Sequence, residues 1–81
     1  MAEAHPEEKL IDARGHRCPV PTLRLRRALE EAAPGAHIRL IADDPMARID
    51  VPHFAASAGA AVVEIIDAAN GAISFLVAKA P

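Results

Sequence analysis

An 81-residue chain that is 52% hydrophobic and 25% charged is one globular domain's worth, too short for a second core and too apolar for disorder. A net charge of −2, with two Phe and no Trp or Tyr, argues against strong nucleic-acid binding, which needs a basic surface and stacking rings. No apolar run approaches the roughly 20 residues of a membrane-spanning helix, so no transmembrane segment is expected. The opening MAEAHPEEKL carries Glu and Pro where an export signal needs an apolar stretch, so a cytoplasmic location is expected.

Residues 1–8 read as a flexible polar lead and residues 9–81 as a single domain. Residues 9–13 (KLIDA) read as a first strand and 14–17 as a loop, with Gly15 free to take a positive φ. After Cys18-Pro19-Val20-Pro21, the set Leu25, Ala28, Leu29 and Ala32 has the spacing of one helix face. Arg24, Arg27, Glu30 and Glu31 fall on the other face, and Pro34-Gly35 ends the helix. Residues 37–42 alternate as a strand with Ile38, Leu40 and Ala42 on one side. Asp44-Pro45 reads as a cap and first helical residue, and Asp50-Val51-Pro52 repeats the signal. The spacing therefore predicts a short helical turn, then a helix over 51–58 closed by Gly59. Met46 reads as packing, and Asp43-Asp44 as a cap with a dipole-favourable neighbour. Residues 61–67 read as a buried β-branched strand, Asn70-Gly71 as a hairpin turn, and 72–79 as the returning strand. The order is βαβαββ. It predicts an α+β fold: a two-layer sandwich whose four-stranded mixed sheet carries two main helices on one face and is relatively open on the other.

The chain has a single cysteine, Cys18, so no disulfide can form within it, and a lone thiol fits a reducing compartment. Charge is segregated around it. Residues 13–29 hold five arginines and no acid, whereas 41–71 hold five acids and only Arg48. With Cys18 as N-cap, Pro19 and Pro21 occupy the first and third helical positions, where N–H groups lack helical partners anyway. The helix N-terminus, Arg14 and Arg17 then favour the thiolate, the nucleophilic form. The same positive field suits a persulfide anion. The bland alternative, a small buried hydrophobe, fits poorly in a loop between arginines. Competing chemistries find less support. No signal places His16, His37 or His53 as the base of a cysteine hydrolase. One Cys with scattered His is too few soft ligands for zinc, and no CxxC pair is present for dithiol exchange. Neither a metal nor a cofactor is expected.

The run Leu10-Ile11-Asp12-Ala13-Arg14-Gly15-His16-Arg17-Cys18-Pro19-Val20-Pro21 resembles the strand–loop–CPxP signature of the TusA/SirA-like sulfur-carrier proteins. Pro34-Gly35, Ala42-Asp43-Asp44-Pro45, Asp50-Val51-Pro52 and Gly59 continue the likeness in order over nearly the whole chain. His16, Val20 and Ala60 depart from common family residues. The resemblance implies a βαβαββ sandwich whose Cys18 carries sulfur as a persulfide and passes it to another protein. It implies a sulfurtransferase that is weak or inactive without partners. These would be a donor such as a cysteine desulfurase or rhodanese-like protein, and a protein acceptor serving tRNA thiolation, sulfur oxidation or cofactor synthesis. Arg14, Gly15, Arg17, Pro19 and Pro21 would form the motif around the sulfur, and Arg24 and Arg27 a docking surface. A monomer suits a protein that docks with two partners in turn. The reading from a different class is a non-catalytic module that docks on a transporter, an enzyme or RNA.

Overall fold

The computed structural model describes residues 8–17 and 19–81. Alternation, β-branching and proline punctuation produce six elements in the expected order: β1 (Lys9–Asp12), α1 (Val20–Glu31), β2 (His37–Ala42), α2 (Ala47–Ser57), β3 (Ala60–Asp67) and β4 (Ile73–Lys79). They form one four-stranded sheet ordered β1-β2-β4-β3. β1 runs parallel to β2, and β4 is antiparallel to both β2 and β3.

Period-2 alternation sends Ile38, Leu40 and Ala42 of β2 and Ile73, Phe75 and Val77 of β4 to the same face. Leu25, Ala28 and Leu29 of α1 join them in one core, together with Ala47, Val51 and Ala55 of α2. Phe75, Leu25, Ile38, Leu40, Val51 and Val77 are the largest fully buried side chains. Each contributes about 1.5–3 kcal/mol of hydrophobic stabilisation. The other face of the sheet carries no helix. It presents Leu10, Arg39, Ile41, Leu76 and Glu64, with Arg39 reaching Ser74 Oγ at 2.8 Å, Glu64 at 3.1 Å and Glu8 at 3.3 Å. The α+β two-layer sandwich with both helices on one face is thus the fold observed.

Several local expectations change. α1 begins one residue later than the cysteine would have it: its N-cap is Pro19, with Val20 first and Pro21 second in the helix. The reason is in the hydrogen bonds. Pro19 C=O accepts from Leu23 N–H at 3.0 Å, as an N-cap carbonyl does, while Val20 N–H turns back to Arg17 C=O at 2.9 Å. α2 is a single helix that runs straight through Asp50-Val51-Pro52, so Asp50 lies in its first turn and does not begin a second helix. Pro52 removes one backbone donor, but Ala47, Val51 and Ala55 form an unbroken buried stripe, and that packing outweighs the missing bond. Met46 is 47% exposed, not packed in the core.

β3 is largely exposed rather than buried. Strand order makes it an edge, and only Ala60 and Val62 pack against the core. A bulge after Val62 then shifts the register, so that Glu64 faces Leu76 and shares a row with Arg39. Without the bulge, Glu64 would oppose Phe75 on the helix side. The β3–β4 turn is as expected: Ala72 N–H bonds Ala69 C=O at 3.2 Å, with Asn70 at φ 62° and Gly71 at φ 78°. Positive φ at both central residues is the type I′ geometry that matches strand twist.

Candidate functional site

β1 and β2 are parallel neighbours, so the loops that leave their C-terminal ends, residues 13–19 and 43–46, emerge at the same edge of the sheet. That is where α/β topologies place reacting groups. Cys18 itself lies outside the described residues. Its flanking chain is described, and it is fastened at many points.

Ala13 is fully buried and donates its N–H to Ile41 C=O at 2.7 Å, which extends the parallel ladder by one bond. His16 N–H returns to Ala13 C=O at 3.2 Å and closes a turn in which Gly15 sits at φ +84°. A β-carbon at Gly15 would meet no neighbour, so the requirement for glycine is conformational, not steric. Gly15 N–H donates to both carboxylate oxygens of Asp43, at 3.0 and 3.2 Å. Asp12 accepts from Arg14 three times: from its backbone N–H at 3.2 Å, its Nε at 2.8 Å and its Nη2 at 2.7 Å. These hydrogen bonds, the side-chain ones first, lower the Asp12 pKa from 3.8 to about 2. Arg24 reaches back from α1 to Asp12 C=O at 2.9 Å. On the helix side, Thr22 Oγ1 and Leu23 N–H both bond Pro19 C=O, at 2.9 and 3.0 Å.

Of the residues singled out in the sequence, Arg14 and Gly15 lie in the fastened turn and Arg24 reaches its start at Asp12, whereas Arg27 lies further along α1, in a groove beside Lys9. Arg17 and Pro19, the chain neighbours of Cys18, are both exposed, whereas Pro21 is buried under the helix start. Arg14 is engaged by Asp12, Arg24 by the end of β1, and Arg27 by Glu31 at 3.4 Å with its side chain 82% exposed.

Two contributions were not read from the sequence. Asp44 accepts Met46 N–H at 3.1 Å across the turn that leads into α2, but the N-cap of that helix is Met46 and its first residue Ala47, so Asp44 and Pro45 stand in the turn before the helix, not at its start. Asp43 instead ties the β2–α2 loop to the loop before the cysteine, 28 residues away. The signal was a second aspartate where one cap suffices. The other contribution is apolar. The first turns of α1 and α2 are neighbours, since Pro21 and Thr22 line one small cavity with Asp44, Ala47 and Asp50. Leu23, Met46 and Ile49 on those turns are 53%, 47% and 64% exposed. Helix-face counting had no reason to expect so much apolar surface at one end of the molecule. Among the described residues no cluster of three His, Cys, Asp or Glu is placed to hold a metal ion. None of their helices is long and apolar enough to cross a membrane.

Known proteins carry the same pattern. The family described as Sulfurtransferase TusA matches residues 9–79. A Sulfur carrier protein TusA from Pseudomonas paraeruginosa is 38% identical over 60 residues, covering 74% of this chain and 76% of that protein. A relative from Archaeoglobus fulgidus is 38% identical over 69 residues, covering 85% of this chain and 90% of its own. Among solved structures, a SirA-like protein from Desulfitobacterium hafniense matches with a TM-score of 0.78 at 27% identity, covering 89% of this chain and 97% of that one. A fastened turn just before Cys18 at the end of a parallel strand pair, on this fold and with these relatives, means that the chain belongs to the TusA family of sulfur carriers.

Proposed function

We propose that the chain carries sulfane sulfur as a persulfide on Cys18 and relays it from a donor protein to a protein acceptor. The Cys18 thiolate attacks the outer sulfur of a donor persulfide. The outer S–S bond breaks, the donor cysteine leaves as a thiolate, and Cys18 becomes Cys18–S–SH. An acceptor thiolate repeats the exchange in the outward direction. Each step conserves electrons, so the relay requires no external oxidant, metal or cofactor.

The observation that carries this reading is the fastening of residues 13–17 to Ile41 and Asp43, next to exposed Arg17 and Pro19. A rigid loop presents the cysteine to a partner at low entropic cost. Arg17, with the longer-range field of Arg14 and the N-terminal end of α1, favours the anionic sulfur. Gly15, Pro19 and Pro21 hold the backbone. The exposed Leu23, Met46 and Ile49 give a partner an apolar seat at the first turns of the helices, and Arg24 and Arg27 of α1 add positive charge for docking. Such a site is incomplete without the partner, which supplies the remaining catalytic groups. We place this relay in the cytoplasm, with the carrier as a monomer.

The test is a reconstituted relay. A cysteine desulfurase with radiolabelled cysteine, or a rhodanese with labelled thiosulfate, loads the chain, and label arriving on an acceptor thiol is counted. The reading predicts that transfer requires the chain and is lost with Cys18→Ser. Equal transfer with Cys18→Ser refutes it. Donor binding that survives Cys18→Ala without any sulfur transfer by the wild type would mark a docking module instead.

A further inference from the structure

Among the described residues β1 is an edge strand, paired with β2 on one side. The direction of its outer backbone groups follows from two bonds. Ala13 N–H points inward to Ile41 of β2, and Asp12 C=O points outward to Arg24. Backbone groups alternate along a strand, so the N–H and C=O of Leu10 also point outward, away from the sheet. The Leu10 side chain above them is 62% exposed. Arg24 occupies this edge at Asp12, but among the described residues it is open at Leu10, and an open edge is a template for another strand. The segment has no proline, and no bulge interrupts its pairing with β2.

Beside that edge runs a groove between β1 and α1. One cavity is lined by Lys9, Ile11, Arg24, Arg27, Ala28 and Glu31. A second shares Lys9, Ala28 and Glu31 with it and continues past Ala32, Ala36 and Ile38. The floor is apolar, made of alanines with Ile11 and Ile38, and the alanines leave room for the side chains of an incoming strand. Three cations stand along the groove against one acid, and that acid, Glu31, is paired with Arg27 at 3.4 Å. The opposite edge, β3, differs in character: it bears exposed Val63 and Ile65 with the acids Glu64 and Asp67. The two edges of the sheet therefore invite different partners.

We propose that the β1 edge is a docking site for an extended acidic segment of a partner protein. The segment adds as a fifth strand, hydrogen-bonded to Leu10, with alternate carboxylates directed at Lys9, Arg24 and Arg27. β-Strand addition draws affinity from the main chain and specificity from alternate side chains, and the groove provides for both. A protein segment fits better than a nucleic acid. The edge offers paired backbone groups, the floor is apolar, and no aromatic ring lines the groove for a base to stack on. Arg24 and Arg27 are also the charges proposed to flank the sulfur-relay partner, but the site uses neither Cys18 nor any of residues 13–19, so binding here can be read without sulfur loading.

The probe is a capped peptide of alternating Val and Glu, titrated into the full-length, isotope-labelled protein and followed through its amide NMR signals. The proposal predicts that the largest shifts fall on residues 9–12 and 24–31, with slowed hydrogen exchange at Leu10. The matching Val/Lys peptide should not bind. Leu10→Pro removes the outward N–H yet leaves the ladder to β2 intact, because an edge strand tolerates proline there. It should abolish binding without changing the spectrum elsewhere. Arg27→Glu, at an exposed helix position, should weaken binding roughly tenfold or more. Wild-type affinity in Leu10→Pro, or shifts confined to other surfaces, overturns the proposal. So does a single-stranded oligonucleotide that binds these residues when the acidic peptide does not. Running the titration in Cys18→Ser separates the outcome from that of sulfur loading, since binding there should equal the wild type.

Discussion

Asp12 is the residue on which the loop before Cys18 turns. It accepts three hydrogen bonds from Arg14, and its backbone carbonyl takes a fourth from Arg24. A carboxylate so held has its pKa lowered from 3.8 to about 2, chiefly by the Arg14 side chain. For a carboxylate depressed on folding, the stabilisation is complete above the unfolded value and is lost as pH falls through the folded one. The clamp therefore weakens between pH 3.8 and about pH 2 and is intact at neutral pH. An NMR titration of the Asp12 carboxyl carbon should show a midpoint near 2. A midpoint at the ordinary value would mean that Arg14 does not hold it in solution. The role of Asp12 was invisible in the sequence, where KLIDA reads only as a strand, and so was the reach of Asp43 to Gly15. Both are contacts of tertiary structure. Cys18 stands out in the sequence because it is single, is followed by Pro19 and Pro21 and sits among arginines. The hydrogen bonds that hold its loop to the rest of the molecule do not.

At the scale of elements, proline and glycine carried most of what could be read, and one proline misled. Pro52 resembles a helix start because of Asp50 before it, yet α2 runs through it. The helix keeps Pro52 because Val51 and Ala55 are buried, so the ring imposes a local cost that packing offsets. Pro52→Ala restores a donor to the carbonyl of Arg48 and should raise unfolding stability by about 1–2 kcal/mol in urea titration, after the freer unfolded chain is taken into account. A loss of stability would show that the ring itself packs usefully. The β3–β4 turn was legible at once, because Asn-Gly is the pair that tolerates two successive positive φ values. Asn70→Ala places a β-carbon where φ is 62° and should cost about 1 kcal/mol by the same measurement. An unchanged midpoint would mean that the turn relaxes to another type. β3 itself was recognised as a strand, but its exposure was not, because burial depends on strand order and no local pattern reveals which strand ends at the edge. The bulge at Val63 likewise became visible only beside Arg39, whose charge Glu64 and then Glu8 hold in place.

The molecule as a whole is a slab of 34 × 28 × 17 Å, one layer of sheet and one of helix. Its radius of gyration of 11.9 Å is what a well-packed chain of this length should have, roughly 12 Å. Thinness has a functional consequence. Among the described residues a two-layer fold this small has no deep cleft in which to bury a reaction, so the proposed transfer falls at the rim, and the parallel pair β1–β2 selects which rim. There the described residues gather the turn at 13–17, the first turns of both helices and three exposed apolar side chains. A surface of that kind serves a protein that hands something over. The family relationship agrees with it, and the proposed cargo is a single sulfur atom on Cys18.

The most direct measurement is the intact mass of the protein after incubation with a cysteine desulfurase and cysteine, and separately with a rhodanese and thiosulfate. Cys18→Ser is treated in parallel. The account predicts a gain of one sulfur atom by the wild type, reversed by reductant and absent from the variant. A wild-type mass unchanged with every donor, while Cys18 still reacts with an alkylating probe, would contradict it: the cysteine would be accessible and would carry nothing.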